Sequence, residues 1–319
     1  MGFGIDNISD AAKRIAPHII TTPLVRLEKL DTFLGCQVYA KLECMQKAGA
    51  FKLRGAMNAV LSLPKESLEK GIVTCSTGNH GRACAYAGKM LGIPVTVVVP
   101  YGAPEIKVEN IRKLEAEIVQ CPAVERFDVA ASISKTTGKK FIPPYDDYNV
   151  MAGQGTAGLE IIDQLPGVDG VVVPTSGGGL LSGVCCAVKS RNSSVKTYGA
   201  EPAVMARYGA SLSCGKPVEL PQAQTIADAL LSNHPGEKCF EVAKGCVDKV
   251  VAVSDEDILR GWKLLLCEGS IFAEPSACIG IAAALAGSLP LSPDEKICFL
   301  ISGGNCSVEQ LGILSAVKL

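Results

Sequence analysis

An α/β fold of two doubly wound lobes with mainly parallel sheets is what this sequence predicts, and three observations lead there. Apolar runs rich in β-branched residues alternate with stretches of helical periodicity along the chain. Several of those runs are apolar at nearly every position, as strands are when both faces of their sheet are covered. The 319 residues are 48% hydrophobic and 20% charged, which suits a large core and not a disordered chain. Aromatics are only 5%, so Val, Ile, Leu and Ala must fill that core.

In chain order, a helix is predicted over 8–16, a strand over 37–42 (QVYAKL) and a helix over 53–63. Strands at 71–75 (GIVTC), 94–99 (PVTVVV) and 117–120 (EIVQ) each lead into a helix, over 79–91, 105–115 and 124–138. A helix over 155–164 precedes the strand 170–174 (GVVVP), and a helix over 179–189 connects it to 196–200 (KTYGA). The strand 249–253 is followed by helices over 255–267 and 276–286 and by a last strand over 296–301 (KICFLI). Residues 71–147 hold strand–helix units of their own and end in the turn-rich PPYDD, so they read as a smaller lobe inserted into a larger one of 1–70 and 148–319. No appended regulatory domain is expected after the last glycine turn.

A formal charge of −1 gives no basic excess to capture nucleic acid or an anionic membrane. The N-terminus lacks the basic, apolar and small-residue succession of a signal peptide. The longest apolar region, 171–188, is broken by Pro174 and by glycines at 177–179 and 183, so no membrane helix is expected. The expected location is the cytoplasm. The 14 cysteines include no CxxC pair, which leaves zinc ribbons and thioredoxin-type sites unsupported. They read as small buried hydrophobes in a reducing compartment.

Three strand-to-helix turns and one lysine carry the chemistry. In CSTGNHGRACAYAGKMLG, Ser76 and Thr77 follow a strand and a helix begins near Asn79. Backbone N–H groups and a helix start would face a carboxylate there, although plain N-capping explains the same residues. In VVVPTSGGGLLSG, Ser176 and Gly177–Gly178–Gly179 let the backbone wrap a compact phosphate closely. No Gly-Lys-Ser/Thr ends that turn, and Gly183 falls one position late for GxGxxG, so neither a Walker loop nor a dinucleotide fingerprint is present. In CFLISGGNCS, Ser302 ends an apolar strand, at the sheet edge where open α/β folds bind ligands. Lys52 follows Phe51 at the start of an apolar helix. Partial burial would lower its pKa and free the amine to attack a carbonyl. A lysine, a phosphate cup and neutral polar donors together suggest pyridoxal phosphate, held by the lysine as a Schiff base.

At these residues the sequence resembles the fold-type II pyridoxal-phosphate enzymes, and among them the serine/threonine dehydratases and serine racemases. KLECMQKAGAFKLRGA, STGNHGRACAYA, IPPYDDYNVMAGQGTAGLEI, VVVPTSGGGLLSG, TIADAL, EPSACIGIAA and ISGGN occur in family order over almost the whole chain. The resemblance implies a tryptophan synthase β-like fold, a homodimer, a small amino-acid substrate and a mobile smaller lobe that closes over it. It makes Lys52 the Schiff-base lysine, Phe51 a flank of the cofactor ring and Asn79 a partner of the ring's 3-oxygen. Ser176, Gly177, Gly178, Gly179 and Leu180 become the phosphate cup, and Ser302 the hydroxyl facing the ring nitrogen. Ser76, Thr77, Asn79 and His80 match the loop that grips the substrate carboxylate, with Arg126 and Ser232 as helpers. Thr77 stands where the racemases carry a serine on the cofactor face opposite the lysine. Many relatives bind a divalent cation after the motif matching AEP at 200–202. Glu201 is present, but Arg207 stands about where a second carboxylate is expected, so the metal set stays unknown.

The implied reaction is elimination of water from a 3-hydroxy amino acid such as L-threonine, L-serine or 3-hydroxyaspartate, giving a 2-oxo acid and ammonia. An uncharged Ser302 would make a weak electron sink and favour prompt loss of the β-hydroxyl over transamination. A serine or aspartate racemase on the same scaffold is the first rival and a β-replacing synthase the second.

Overall fold

The structure is a computed structural model and describes residues 2–319. Ten strands form two sheets among these residues. They are β1 (Leu24–Arg26), β2 (Gln37–Leu42), β3 (Ile72–Cys75), β4 (Val95–Pro100), β5 (Glu117–Cys121), β6 (Lys140–Phe141), β7 (Gly170–Pro174), β8 (Lys196–Pro202), β9 (Lys249–Val253) and β10 (Lys296–Ile301). The larger sheet has the order β1-β2-β10-β7-β8-β9 and the smaller β5-β4-β3-β6. All pairs are parallel except the edge pair β1–β2. The expected fold class is therefore the observed one. β3, β7 and most of β10 are buried at every position, because helices cover both faces.

Two short strands, β1 and β6, were not anticipated, nor were the helices Lys65–Lys70, Arg207–Cys214, Glu237–Ala243 and Val308–Gly312. All are too short to carry a clear periodicity. The helix expected over 155–164 begins at Tyr148, where the Asp147 carboxylate accepts from the amides of Asn149 (2.8 Å) and Val150 (3.0 Å). Its glycines lower intrinsic helicity but allow close packing. A Cβ at Gly155 would lie 2.8 Å from the Gly183 carbonyl, and one at Gly183 would lie 2.4 Å from that of Met151. Tertiary contact with the helix Gly179–Arg191 overrides the local preference here.

The helix Lys52–Leu61 lies between the two sheets. Its Leu53, Ala56, Met57 and Val60 share a core with Ile72, Ala83, Val95 and Val97 of the smaller sheet and its helices. Its other side crosses the helix Tyr148–Gln164, where a Cβ at Gly153 would meet the Arg54 carbonyl at 2.4 Å. Arg54 is buried and forked between two carboxylates, with Nη2 2.8 Å from Glu43 and Nη1 2.7 Å from Glu160. Lys41 closes the cluster on Glu160 at 2.5 Å. This paired network ties the helix bearing Lys52 to both its neighbours. Among the described residues, no helix is long and apolar enough to cross a membrane, and all 14 cysteines are free thiols, eight of them buried.

Candidate active site

Lys52 opens its helix directly after Phe51, whose amide donates to the carbonyl of Ser302 at 3.0 Å. The lysine is thereby fastened to the end of β10. Its Nζ lies 5.1 Å from the centre of the Phe51 ring and donates to the Pro144 carbonyl at 2.6 Å. Among the described residues it has no carboxylate partner. Although part of the side chain reaches solvent, burial of the amine end pulls its pKa down to about 8. An amine left without a counter-ion and made easier to deprotonate is suited to nucleophilic and base chemistry.

The residue after Pro144 connects this amine to the triple-glycine turn. The Tyr145 ring covers Gly177 so closely that a Cβ there would come within 2.6 Å of it, and one at Gly179 would lie 3.2 Å from Tyr145 Cβ. Gly178 has φ +102°, and a Cβ on it would sit 1.6 Å from the Tyr208 hydroxyl. Only glycine fits these walls. The helix Gly179–Arg191 begins at the turn, so the amides of its first residues have no acceptor in the helix and point a partial positive charge outward. Ser232 joins the same wall: its amide donates to Ser176 Oγ at 3.3 Å and its hydroxyl to the Tyr145 oxygen at 2.9 Å.

The turn after β3 meets the end of β10 from the other side. Asn79 donates through Nδ2 to buried Glu274 at 2.7 Å and accepts through Oδ1 from Asn305 at 2.7 Å. Both ends of that amide are thus oriented. Burial pushes the Glu274 carboxyl up to about 7 against the opposing bond from Asn79. His80 is buried with Nε2 3.0 Å from the Ile142 carbonyl, so Nε2 carries the proton. Burial first and the Lys52 charge second push its pKa down to about 3, so the ring is neutral at any physiological pH. Its Nδ1 is buried without a partner. Ser76 and Thr77 are half-buried beside it, and Ser76 Oγ accepts from the Gly78 amide at 3.2 Å.

Phe51, Lys52, Asn79, His80, Ser302 and the Ser176–Leu180 turn with Ser232 are therefore gathered around one region at the carboxyl ends of both sheets. Arg126 is not in contact with them: it donates to the Ala123 carbonyl at 2.7 Å and lies over the Phe127 ring at 5.1 Å. Glu201 spends both oxygens on the amides of Tyr208 (2.9 Å) and Gly209 (2.8 Å), and Arg207 is buried next to it. Among the described residues no three His, Cys, Asp or Glu side chains gather as a metal set. Sequence reasoning assigned no role to Tyr145, Glu274 and Asn305. Each lies inside a quoted motif, which was the available signal.

A family model described as pyridoxal-phosphate dependent enzyme matches residues 15–303. Serine racemase of Arabidopsis thaliana is 39% identical over 311 residues, covering 96% of this chain and 94% of that protein. L-threonine ammonia-lyase of Thermotoga maritima is 37% identical over 309 residues, covering 96% of this chain and 77% of the relative. The solved structure of maize serine racemase superposes with a TM-score of 0.94 at 38% identity, covering 98% of this chain and 97% of that one. The cofactor of such enzymes fits the residues present, since a triple-glycine turn with no room for a Cβ packs against Tyr145, the residue after the carbonyl that holds the Lys52 amine. The chain belongs to the pyridoxal-phosphate dependent enzymes, with fold-type II architecture.

Proposed function

We propose that this enzyme is a hydroxy-amino-acid ammonia-lyase, converting a 3-hydroxy amino acid into a 2-oxo acid and ammonia. In this reading Lys52 holds the cofactor, Phe51 and Asn79 flank its ring, Ser302 faces the ring nitrogen and Ser176–Leu180 cradle the phosphate. Bound pyridoxal phosphate supplies a sink for the electron pair freed at the substrate α-carbon. The turn Ser76–His80 binds the substrate carboxylate through backbone amides at the helix start. Lys52 Nζ takes the α-proton, oriented by the Pro144 carbonyl at 2.6 Å. Positioned proton transfer of this kind contributes ~10²–10⁴-fold. The β-hydroxyl then departs as water, and hydrolysis of the enamine product releases the 2-oxo acid and ammonia. Asn79, locked between Glu274 and Asn305, keeps its second amide hydrogen for the ring. Residues 71–147 act as the smaller closing lobe, a reading supported by the ion pair of Lys107 with Asp228 across the two halves at 2.7 Å. The setting is the cytoplasm, and the assembly a homodimer.

The observation that favours elimination is that Lys52 is the one amine base in the site, while the nearby Glu274 carboxyl is engaged by Asn79. Burial pulls the Lys52 pKa down to about 8, whereas His80 is held neutral and its protonated nitrogen is committed to Ile142. Thr77 offers a hydroxyl, but no hydrogen bond to a base primes it among the described residues. Racemisation is the second reading, favoured by that hydroxyl in the turn and by the racemases among the relatives. A screen of L-threonine, L-serine and 3-hydroxyaspartate, reading ammonia and the chirality of recovered substrate together, separates the two. Ammonia with unchanged chirality supports the lyase, and inversion without ammonia overturns it. Thr77→Ala is expected to lower any inversion at least about tenfold more than elimination, because elimination needs no proton from that face. Equal losses in the two assays would remove Thr77 from an opposite-face role.

The amine also sets a pH dependence. Only neutral Lys52 can attack the cofactor aldehyde, and the neutral form predominates above its pKa of about 8. Cofactor uptake by the apoprotein, followed by absorbance, should therefore speed up as pH rises through that value and then level off. A rate that keeps rising until about pH 10, the value for an ordinary lysine, would contradict the depressed lysine.

A further inference from the structure

Arg207 lies behind the glycine turn, and nothing in the chemistry above uses it. Its side chain is fully buried. Nε donates to the Ser176 carbonyl at 3.3 Å, and Nη2 to those of Thr175 at 3.0 Å and Leu230 at 2.9 Å. Nη1 donates to the Met205 carbonyl. A buried guanidinium ordinarily sits against a carboxylate. Glu201 is near, but its oxygens are taken by the Tyr208 and Gly209 amides, and no contact ion pair joins it to Arg207 among the described residues. The guanidinium thus faces carbonyls alone, and two of them lead directly into Gly177.

Peptide planarity turns that grip into a consequence for the turn. In a trans peptide the C=O and the next residue's N–H point in opposite directions. Arg207 holds the carbonyls of Thr175 and Ser176, so the amides of Ser176 and Gly177 are directed away from it. Neither amide finds an acceptor among the described residues. Gly177 is buried and Ser176 half-buried, and buried amides are nearly always paired, so two adjacent free ones aimed the same way suit an anionic ligand.

We propose that Arg207 is a positioning residue for the cofactor phosphate. It is a fixed internal cation that aims the Ser176 and Gly177 amides at the anion and adds its own charge behind them. This rests on the reading that Ser176–Leu180 hold the phosphate. The test compares the affinity of the apoprotein for pyridoxal phosphate and for pyridoxal, which lacks the phosphate, in the wild type and in Arg207→Gln, Arg207→Lys and Gly177→Ala. Arg207→Gln should weaken pyridoxal phosphate at least about tenfold and leave pyridoxal within about threefold, as loss of charge-assisted bonds to one group requires. Arg207→Lys, which keeps the charge but holds fewer carbonyls, should fall between that variant and the wild type.

Equal weakening of both ligands, or of neither, overturns the proposal, since a merely structural arginine does not discriminate between them. Should Arg207→Gln fail to fold by circular dichroism, Arg207→Lys decides alone, and an unchanged preference for the phosphorylated ligand overturns it. Gly177→Ala separates the two layers of inference. A preference unchanged there removes the phosphate cup itself. A preference lost there but kept in both Arg207 variants removes only Arg207.

Discussion

Replacing Lys52 by alanine is expected to leave a colourless protein whose ammonia release falls by at least about 10⁴-fold, since the residue proposed as both covalent tether and proton acceptor is lost. The fold should survive. The side chain makes one hydrogen bond, to the Pro144 carbonyl, and no ion pair among the described residues. The helix beneath it is held instead by buried Leu53, Ala56, Met57 and Val60 and by Arg54 between Glu43 and Glu160. Absorbance of the protein after incubation with pyridoxal phosphate, alongside its circular dichroism, checks both halves of this expectation. A yellow, folded and active Lys52→Ala protein would show that another residue carries the chemistry.

Gly178→Ala is expected to have the second-largest effect, for reasons of backbone geometry. The residue holds φ +102°, where a side chain costs about 1–2 kcal/mol before any contact is considered. The new Cβ would lie 1.6 Å from the Tyr208 hydroxyl and 3.0 Å from Cys239 Cβ. Tyr208 is itself fully buried against Phe240, so it has little room to withdraw. Overpacking adds a further ~1–3 kcal/mol. Affinity for pyridoxal phosphate should fall by about a hundredfold, the equivalent of ~2.7 kcal/mol, and thermal unfolding should shift down by several degrees. Combining the change with Tyr208→Ala should recover part of the cofactor affinity, because the pair shares one collision. Wild-type affinity in Gly178→Ala would mean that the turn does not hold the cofactor.

Much of the architecture was legible because it is written locally. PVTVVV and GVVVP announce buried parallel strands by composition alone, and the three glycines after the second of these announce a turn with no room for side chains. Lys52 stood out for the same reason, as a charge placed at the edge of an apolar helix. What stayed hidden depends on partners far away in sequence. Tyr145 matters because it packs on Gly177, 32 residues later, and Glu274 because it meets Asn79 at a separation of 195 residues. Arg207 looked like a departure from a metal-binding pattern, and only the structure shows it gripping Thr175 and Ser176. The start of the helix at Tyr148 was missed because its glycines oppose helix formation in isolation, while the close crossing with Gly183 demands them. Arg126 shows the reverse case. Its proposed helper role came from likeness alone, and its guanidinium is occupied by Ala123 and Phe127 on its own segment.

The most direct measurement is reduction of the cofactor-loaded protein with borohydride followed by peptide mass mapping. A single pyridoxyl group on the peptide containing Ala50–Phe51–Lys52–Leu53 is the expected result. The same label found on Lys41, Lys107 or any other lysine, with Lys52 unmodified, would contradict the assignment on which the whole site is built.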